Sequence, residues 1–364
     1  MPKAYFIGGA YAGCNYVRCL LPQLHCGYLG SHVSAYSPMK GNNQIALEVM
    51  NSDILVIHRP DTPRHHRFAM EMRKRGKIIV FDNDDTAKLD EGHPFFGLNE
   101  YGKDQNQERY NNIINNFVRN ADACTTTTEF LANEYRKLNK EVFVLPNCVD
   151  PDDWAEPLRN EGDKVRILIS GSASYTQDFE IMAPYLRELD KRNDVQLILF
   201  GLWGREKRKE NPLVESVYKN EHEFWDSLKN VEHVEWVGID NYPYILNDIK
   251  ADIMLIPRKE SYFNKAKSNL KFLEAAMCEI PVIAQSFSDG LSPYDKDLNG
   301  KNGLLATTLD DWKEKTELLI KDKRLRRGIG KEAKKYVLEN FNIKTRYIEW
   351  EKVFNYLYDT YGSK

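Results

Sequence analysis

The sequence predicts an α/β protein built from two parallel-sheet domains. Apolar runs of a few residues alternate with helical stretches from Ala4 to the tail, the order that parallel sheets covered by helices on both faces produce. The alternation breaks at VLPNCVDPDDW, Val144 to Trp154, and at the charged run Glu156 to Lys164, whose prolines and aspartates suit a hinge and a linker. The length of 364 residues exceeds one ordinary core and suits two units of about 150 to 180 residues. The expected boundaries are 1–155 and 156–342, with a terminal helix over about 343–364.

In the first half, Ala4 to Ile7 reads as a strand, and GGAYAG (Gly8 to Gly13) turns it into a helix over about Asn15 to Leu24. Val33 to Tyr36, Asp53 to His58 and Lys77 to Asp82 are further strands, with a basic helix from Pro63 to Arg75 between the last two. A polar helix over about Gln105 to Asn120 leads to a strand near Ala123, and Glu141 to Leu145 closes the unit. The second half repeats the pattern with strands at Val165 to Ser170, Val195 to Phe200, His233 to Val237, Ile253 to Ile256 and Pro281 to Ala284. Helices fill most of the tail from Asp310. In the last segment Tyr347, Trp350, Val353, Phe354, Leu357 and Tyr358 fall at helical spacing.

Composition narrows the function classes. An apolar content of 42% marks a largely folded chain, and a net charge of -3 gives no global reason to bind nucleic acid or membrane. The six cysteines form no C-x-x-C pair and no metal-ligand spacing with histidine. They read as reduced thiols of a cytoplasmic protein, with a peripheral place at the inner membrane face as an alternative. No apolar run approaches the roughly 18 residues of a membrane span.

The stretch KSNLKFLEAAMCEIPVIAQ, Lys267 to Gln285, carries the clearest chemistry. Ser268 reads as an N-cap, Leu270, Leu273 and Met277 as the buried side of a helix, and Pro281 as its limit before a buried strand. Lys267 and Lys271 place two positive charges at the positive end of the helix dipole, against the usual preference. A diphosphate held by the N–H groups of residues 269 to 271 (Asn269, Leu270 and Lys271) and by both ammonium groups would turn that repulsion into attraction. Glu274, one turn deeper, is placed to accept hydrogen bonds from the hydroxyls of a ribose; an ordinary surface pair with Lys271 is the competing reading.

KSNLKFLEAAMCEIPVIA resembles the nucleotide-sugar motif of family 4 retaining glycosyltransferases, and Glu274 matches the second glutamate of that family's two-glutamate motif. The resemblance continues in LPNCVD, which is similar to that family's interdomain segment, and in the tail from Asn299. It implies two Rossmann-like domains facing across a cleft, the GT-B arrangement, with the terminal helix crossing back to the first domain. It also implies a retaining sugar transfer from a nucleotide diphosphate sugar to an acceptor hydroxyl, without an essential divalent metal. The sequence departs from the family at Ala266, where the fuller motif has a carboxylate. It departs again after Gly171, where an arginine and lysine pair is usual.

On this reading Lys267 and Lys271 stabilise the leaving diphosphate, and Gly171, Ser172 and Lys207, with Arg205 near it, are further donor contacts. Val237, Gly238 and the stretch Ser286 to Ser292 border the base and the sugar. The glycine-rich turn places Gly9 and Gly13 beside the cleft, and Arg18, one turn into the helix, either meets an anion or is a solvated surface residue. DNDD, Asp82 to Asp85, ends an apolar strand where open α/β sheets place ligands. Asp84 is the catalytic candidate, with Asp82 and Asp85 on the acceptor side; metal binding and capping are the other roles open to the cluster. Mutual repulsion is expected to raise at least one of its pKa values unless cations compensate.

The expected acceptor is a glycan or lipid-linked glycan of surface polysaccharide assembly. A modified DNA base, approached through the basic run His58 to Lys77, is the alternative, and a non-catalytic nucleotide-sugar binding module is another.

Overall fold

The computed structural model describes residues 2–8, 13–31, 43–86, 88–91, 93, 96, 107–171, 178–201 and 212–362. Two six-stranded sheets organise the chain. The first holds β1 (Ala4–Ile7), β2 (Leu29–Ser31), β3 (Ile54–His58), β4 (Ile78–Asn83), β5 (Ala123–Thr126) and β6 (Val142–Val144) in the order β2-β1-β3-β4-β5-β6. The second holds β7 (Val165–Ser170), β8 (Val195–Phe200), β9 (Val231–Val234), β10 (Ile253–Ile256), β11 (Val282–Gln285) and β12 (Leu304–Ala306) in the order β12-β11-β10-β7-β8-β9. Neighbouring strands run parallel in both sheets.

Alternation along each strand divides the core into layers. Tyr5, Ile7, Leu55, Ile57, Ile79 and Phe81 face one way, while Ala4, Phe6, Ile54, Val56, Ile78 and Val80 face the other. In the second sheet Leu168, Ile198 and Met254 share one layer and Ile167, Leu197 and Ile253 the opposite one. Strands buried on both faces need helices on both faces, which is the two-domain α/β fold the sequence predicts.

The terminal helix Ile343–Tyr361 belongs to the first sheet by packing. Trp350, Phe354 and Leu357 lie in the layer of Phe6 and Val56, with ring centroids 5.7 Å and 6.0 Å from Phe6 to Trp350 and Phe354. Its return brings two crossings together: Val149 donates to the Phe341 carbonyl at 2.9 Å and Ile343 to the Val149 carbonyl at 3.0 Å.

Several element expectations need correction. β2 lies at Leu29–Ser31, ahead of the expected Val33 to Tyr36, which falls outside the described residues. β9 runs over Val231–Val234, two residues earlier than expected. β12 passed unread because NGLLATT offers only three strand residues. Among the described residues, no helix is long and apolar enough to cross a membrane.

Candidate functional site

Each sheet has one place where the order of strands reverses, between β1 and β3 in the first and between β7 and β10 in the second. The loops beyond the strand ends diverge there and leave a crevice, where open α/β sheets bind ligands. Residues singled out in the sequence gather at both points.

In the first sheet, register aligns His58 with Asp82 and Asp82 with Thr125 in one row at the strand ends. Asp82 is fully buried and accepts from Arg18, from Thr125 Oγ1 at 2.7 Å and from His58 Nδ1 at 2.7 Å. Arg18 lies on a π-helical segment, Tyr16–Leu20, is also fully buried, and gives its other nitrogen to the Leu145 carbonyl. Arg18 is therefore not a solvated surface residue, the anionic group it meets is the Asp82 carboxylate, and Asp82 is enclosed rather than open to an acceptor. Two charges out of water are tolerable only when paired this completely.

Asp84 is 9% exposed and accepts from Arg59 Nε at 2.6 Å, with His58 Nε2 at 3.8 Å. Asp85 accepts from Lys267 Nζ at 2.6 Å, across the two domains, and has Arg59 at 3.6 Å. The expected rise in a carboxylate pKa does not occur at Asp82 or Asp84. Burial pushes both upward, but Arg18 beside Asp82 and Arg59 beside Asp84 outweigh it, so both are held below the usual range. Burial pulls His58 down and Asp82 more than reverses it, lifting the imidazole to about 9. His58, Arg59 and Thr125 join the site without having been expected there from the sequence. His58 and Arg59 end an apolar strand just as DNDD does, and that signal was available.

In the second sheet, the helix Leu270–Met277 follows Asn269, which occupies the N-cap position without a side-chain cap bond. Ser268 instead accepts from Asn147 Nδ2 at 3.0 Å, and Asn269 donates to Asp297 Oδ2 at 2.6 Å. The helix thus starts one residue later than expected, and both side chains brace the site. Lys271 reaches Ser170 Oγ at 3.1 Å at the end of β7. Glu274 accepts from the Tyr242 hydroxyl at 2.8 Å, and burial raises its pKa despite Lys271. These are not the contacts of a surface pair. Gly171 donates its N–H to the Phe200 carbonyl at 3.1 Å, which takes that group from the expected phosphate contacts. Arg258, 3% exposed, is held by Asp178 at 2.9 Å.

The two halves line a cavity of about 200 Å³, where Gly13 and Tyr16 face Trp154, Ile239, Leu270 and Glu274. Val237 packs on the core beneath, and the Gly238 carbonyl accepts from Asn241. Gly9, Ser172, Lys207 and Arg205 lie outside the described residues. Among the described residues, no three His, Cys, Asp or Glu side chains are grouped to hold a metal ion.

Residues 182–352, just under half of the chain, match the family described as glycosyl transferase-like. Solved structures agree over a longer span. Sucrose-phosphate synthase from Thermosynechococcus elongatus has a TM-score of 0.70 at 13% identity, covering 98% of this chain and 100% of its own. HepE from Anabaena, in complex with UDP and glucose, gives 0.69 at 13% identity, with 98% and 100% covered. S. aureus TarM gives 0.57 at 16% identity over 83% of this chain, which spans only 54% of TarM. No curated protein matches in sequence. The chain has the GT-B fold of these proteins, and over residues 182–352 it is glycosyltransferase-like in sequence as well.

Proposed function

We propose that the protein is a retaining glycosyltransferase that moves a sugar from a nucleotide diphosphate sugar to an acceptor hydroxyl. The observation that carries this reading is Glu274 and Lys271 on one buried helix at the second sheet's reversal point, opposite the charged cluster of the first. Glu274 accepts from the ribose hydroxyls, while Lys271 and the helix N-terminus stabilise the departing diphosphate. The bond from the anomeric carbon to the diphosphate breaks as the acceptor oxygen bonds to that carbon, and the acceptor proton passes to the leaving phosphate. Charge builds on the diphosphate, so fixed cations and N–H groups there supply the largest protein contribution. Asp84 and Asp85 face the acceptor side; Lys267, bonded to Asp85, ties the two halves together. The structure of HepE with UDP and glucose supports a nucleotide-sugar donor. The acceptor on this reading is a glycan or lipid-linked glycan.

A second reading, a binding module without chemistry, has its own support. Ala266, which stands where the family motif has a carboxylate, is buried in the first domain's core layer. A panel of nucleotide sugars, followed by thermal shift and by nucleotide release, separates the two. A ligand of the folded state raises stability with the logarithm of its concentration over Kd. Release from at least one stabilising donor is the expected result; stabilisation without release from any donor establishes the binding module.

A further inference from the structure

The chain passes between its two sheets near Val149 and again near Phe341, and those passages bond to each other. A further tie is made by side chains alone, from Ser261–Lys267, the segment between β10 and the helix that carries Lys271 and Glu274. Its root lies in the second domain. Ser261 Oγ accepts from the Asn264 N–H at 3.1 Å, capping the short helix Tyr262–Lys265. Asn264 is buried and donates through Nδ2 to Asp178 Oδ1 at 2.8 Å and to the Lys259 carbonyl at 2.9 Å, while Arg258 holds the other oxygen of Asp178. A buried charge pair with its hydrogen bonds filled makes this root rigid.

The other side of the segment enters the first domain. Ala266 is fully buried in the core layer of Phe81 and Phe117. The Tyr262 ring meets the Phe130 ring edge-on at 5.1 Å and has the Lys88 ammonium 4.3 Å from its centroid. Phe263 is buried, meets the His93 ring at 4.5 Å and donates its N–H to Asp90 Oδ2 at 3.4 Å. Burial and then Lys267 pull His93 down to about 4, so its ring packs uncharged. Lys267 closes the set, with its ammonium 3.9 Å from the Phe263 centroid and 2.6 Å from Asp85 Oδ2. Edge-on rings and partly desolvated cations over rings add to the area they bury.

We propose that Ser261–Lys267 is a clasp that keeps the cleft closed in the free protein, and that Phe263 and Lys267 are positioning residues holding the Asp84–Asp85 strand end opposite the diphosphate helix. The clasp stands on these contacts alone; the positioning role rests on the transferase reading. Lys267 gives its charge to Asp85 across the domains, and Lys271, at Ser170 on the end of β7, is the cation left to the diphosphate. Because one short helix carries Tyr262 and Phe263 and leads directly to Lys267, opening withdraws all three from the first domain together. Substrate entry therefore waits on the release of this segment, as it does where a closing element gates a site.

The test is hydrogen–deuterium exchange of the free full chain, read by peptide mass spectrometry, with small-angle X-ray scattering beside it. Amides of residues 262–267 and 88–91 should be protected to the same degree in the wild type, because one opening exposes both. Lys267→Met is expected to speed exchange in both segments by on the order of 10-fold, within the range over which contacting residues couple, and to enlarge the radius of gyration. Lys267→Arg, which keeps the charge and the ring contact, should restore both, and Asp85→Asn should match Lys267→Met with no added effect in the double variant. Faster exchange confined to the mutated segment, or an unchanged radius of gyration, overturns the clasp. With the donor selected by the panel, Lys267→Met should lower kcat by on the order of 10- to 100-fold, the loss that misplacement brings, and leave the Kd of the released nucleoside diphosphate unchanged. A weakened Kd places Lys267 on the diphosphate and overturns its positioning role. A panel without turnover removes the transferase reading and the positioning role together, while exchange and scattering, which need no substrate, still decide the clasp.

Discussion

Arg59 adopts a left-handed backbone, with φ of 47°, a conformation that costs a residue with a Cβ about 1–2 kcal/mol. The turn it makes at the end of β3 aims its guanidinium at Asp84 and Asp85. Strain of this kind persists where surrounding contacts fix it, and it concentrates at functional sites. Arg18 is a different case, because both it and Asp82 are fully buried. Removing one partner leaves an uncompensated charge in the core, so Arg18→Ala should lose about 3–5 kcal/mol of stability. Urea denaturation measures it, and a loss under about 1 kcal/mol would contradict the buried pair. The carboxylates of DNDD were legible in sequence as a cluster at a strand end. Their pairing was not, because the strand order that sets His58 and Thr125 beside Asp82, and the helical run that brings Arg18 to it, are encoded in no local pattern.

Among the elements, the Leu270–Met277 helix was nearly readable: its apolar spacing, Lys271 and Glu274 stand in the sequence as they do in the fold. Its first residue was misplaced because Ser268 is the better capping residue by type, yet tertiary contact with Asn147 claims its hydroxyl. The strand pair β3 and β4 makes a prediction about pH. His58 has its folded pKa raised to about 9, above the roughly 6.5 of an unfolded histidine. The folded state therefore binds the proton more tightly, and that contribution is complete below about pH 6.5 and lost as pH rises through about 9. Asp82 and Asp84 act oppositely: their pKa values are lowered, so their contribution is present above about pH 4 and fades as the solution is acidified below it. The stability margin of the wild type over His58→Gln should thus be widest near pH 6 and shrink toward pH 9, as melting curves across that range would show. A margin that grows with pH would contradict a protonated His58.

At the scale of the whole molecule, the chain crosses between its two sheets twice, at the residues following Val144 and again at Phe341 to Ile343, and the crossings bond to each other through Val149. The doubling of an α/β unit was legible because hydrophobic alternation is local, and the final helix was legible from the spacing of Trp350, Phe354 and Leu357, whereas its return to the first sheet was implied only by the family resemblance. Trp350 is 3% exposed and also lies under Arg18, 5.0 Å from its guanidinium carbon. Trp350→Ala should cost about 3–5 kcal/mol, as large core truncations do, and should loosen the first domain although it alters the last helix. Proteolysis that releases fragments of the second domain first would contradict that assignment.

Position of the two domains also decides what the cavity between them receives. The basic helix Pro63–Lys74 keeps Arg64 and Arg67 exposed, so the DNA alternative has a direct check. Submicromolar duplex binding that weakens steeply with salt, and is lost in the double alanine variant at those positions, would displace the glycan reading. No such binding is expected.

On the transferase reading, Lys271 stabilises a departing diphosphate at the helix N-terminus. Its most direct test is the steady-state rate of nucleotide release from the best donor of the panel, measured for the wild type and for Lys271→Ala with folding checked by circular dichroism. A fall in kcat on the order of 100-fold is expected, the loss that follows removal of one oxyanion donor. A folded variant that turns over donor at the wild-type rate would contradict it.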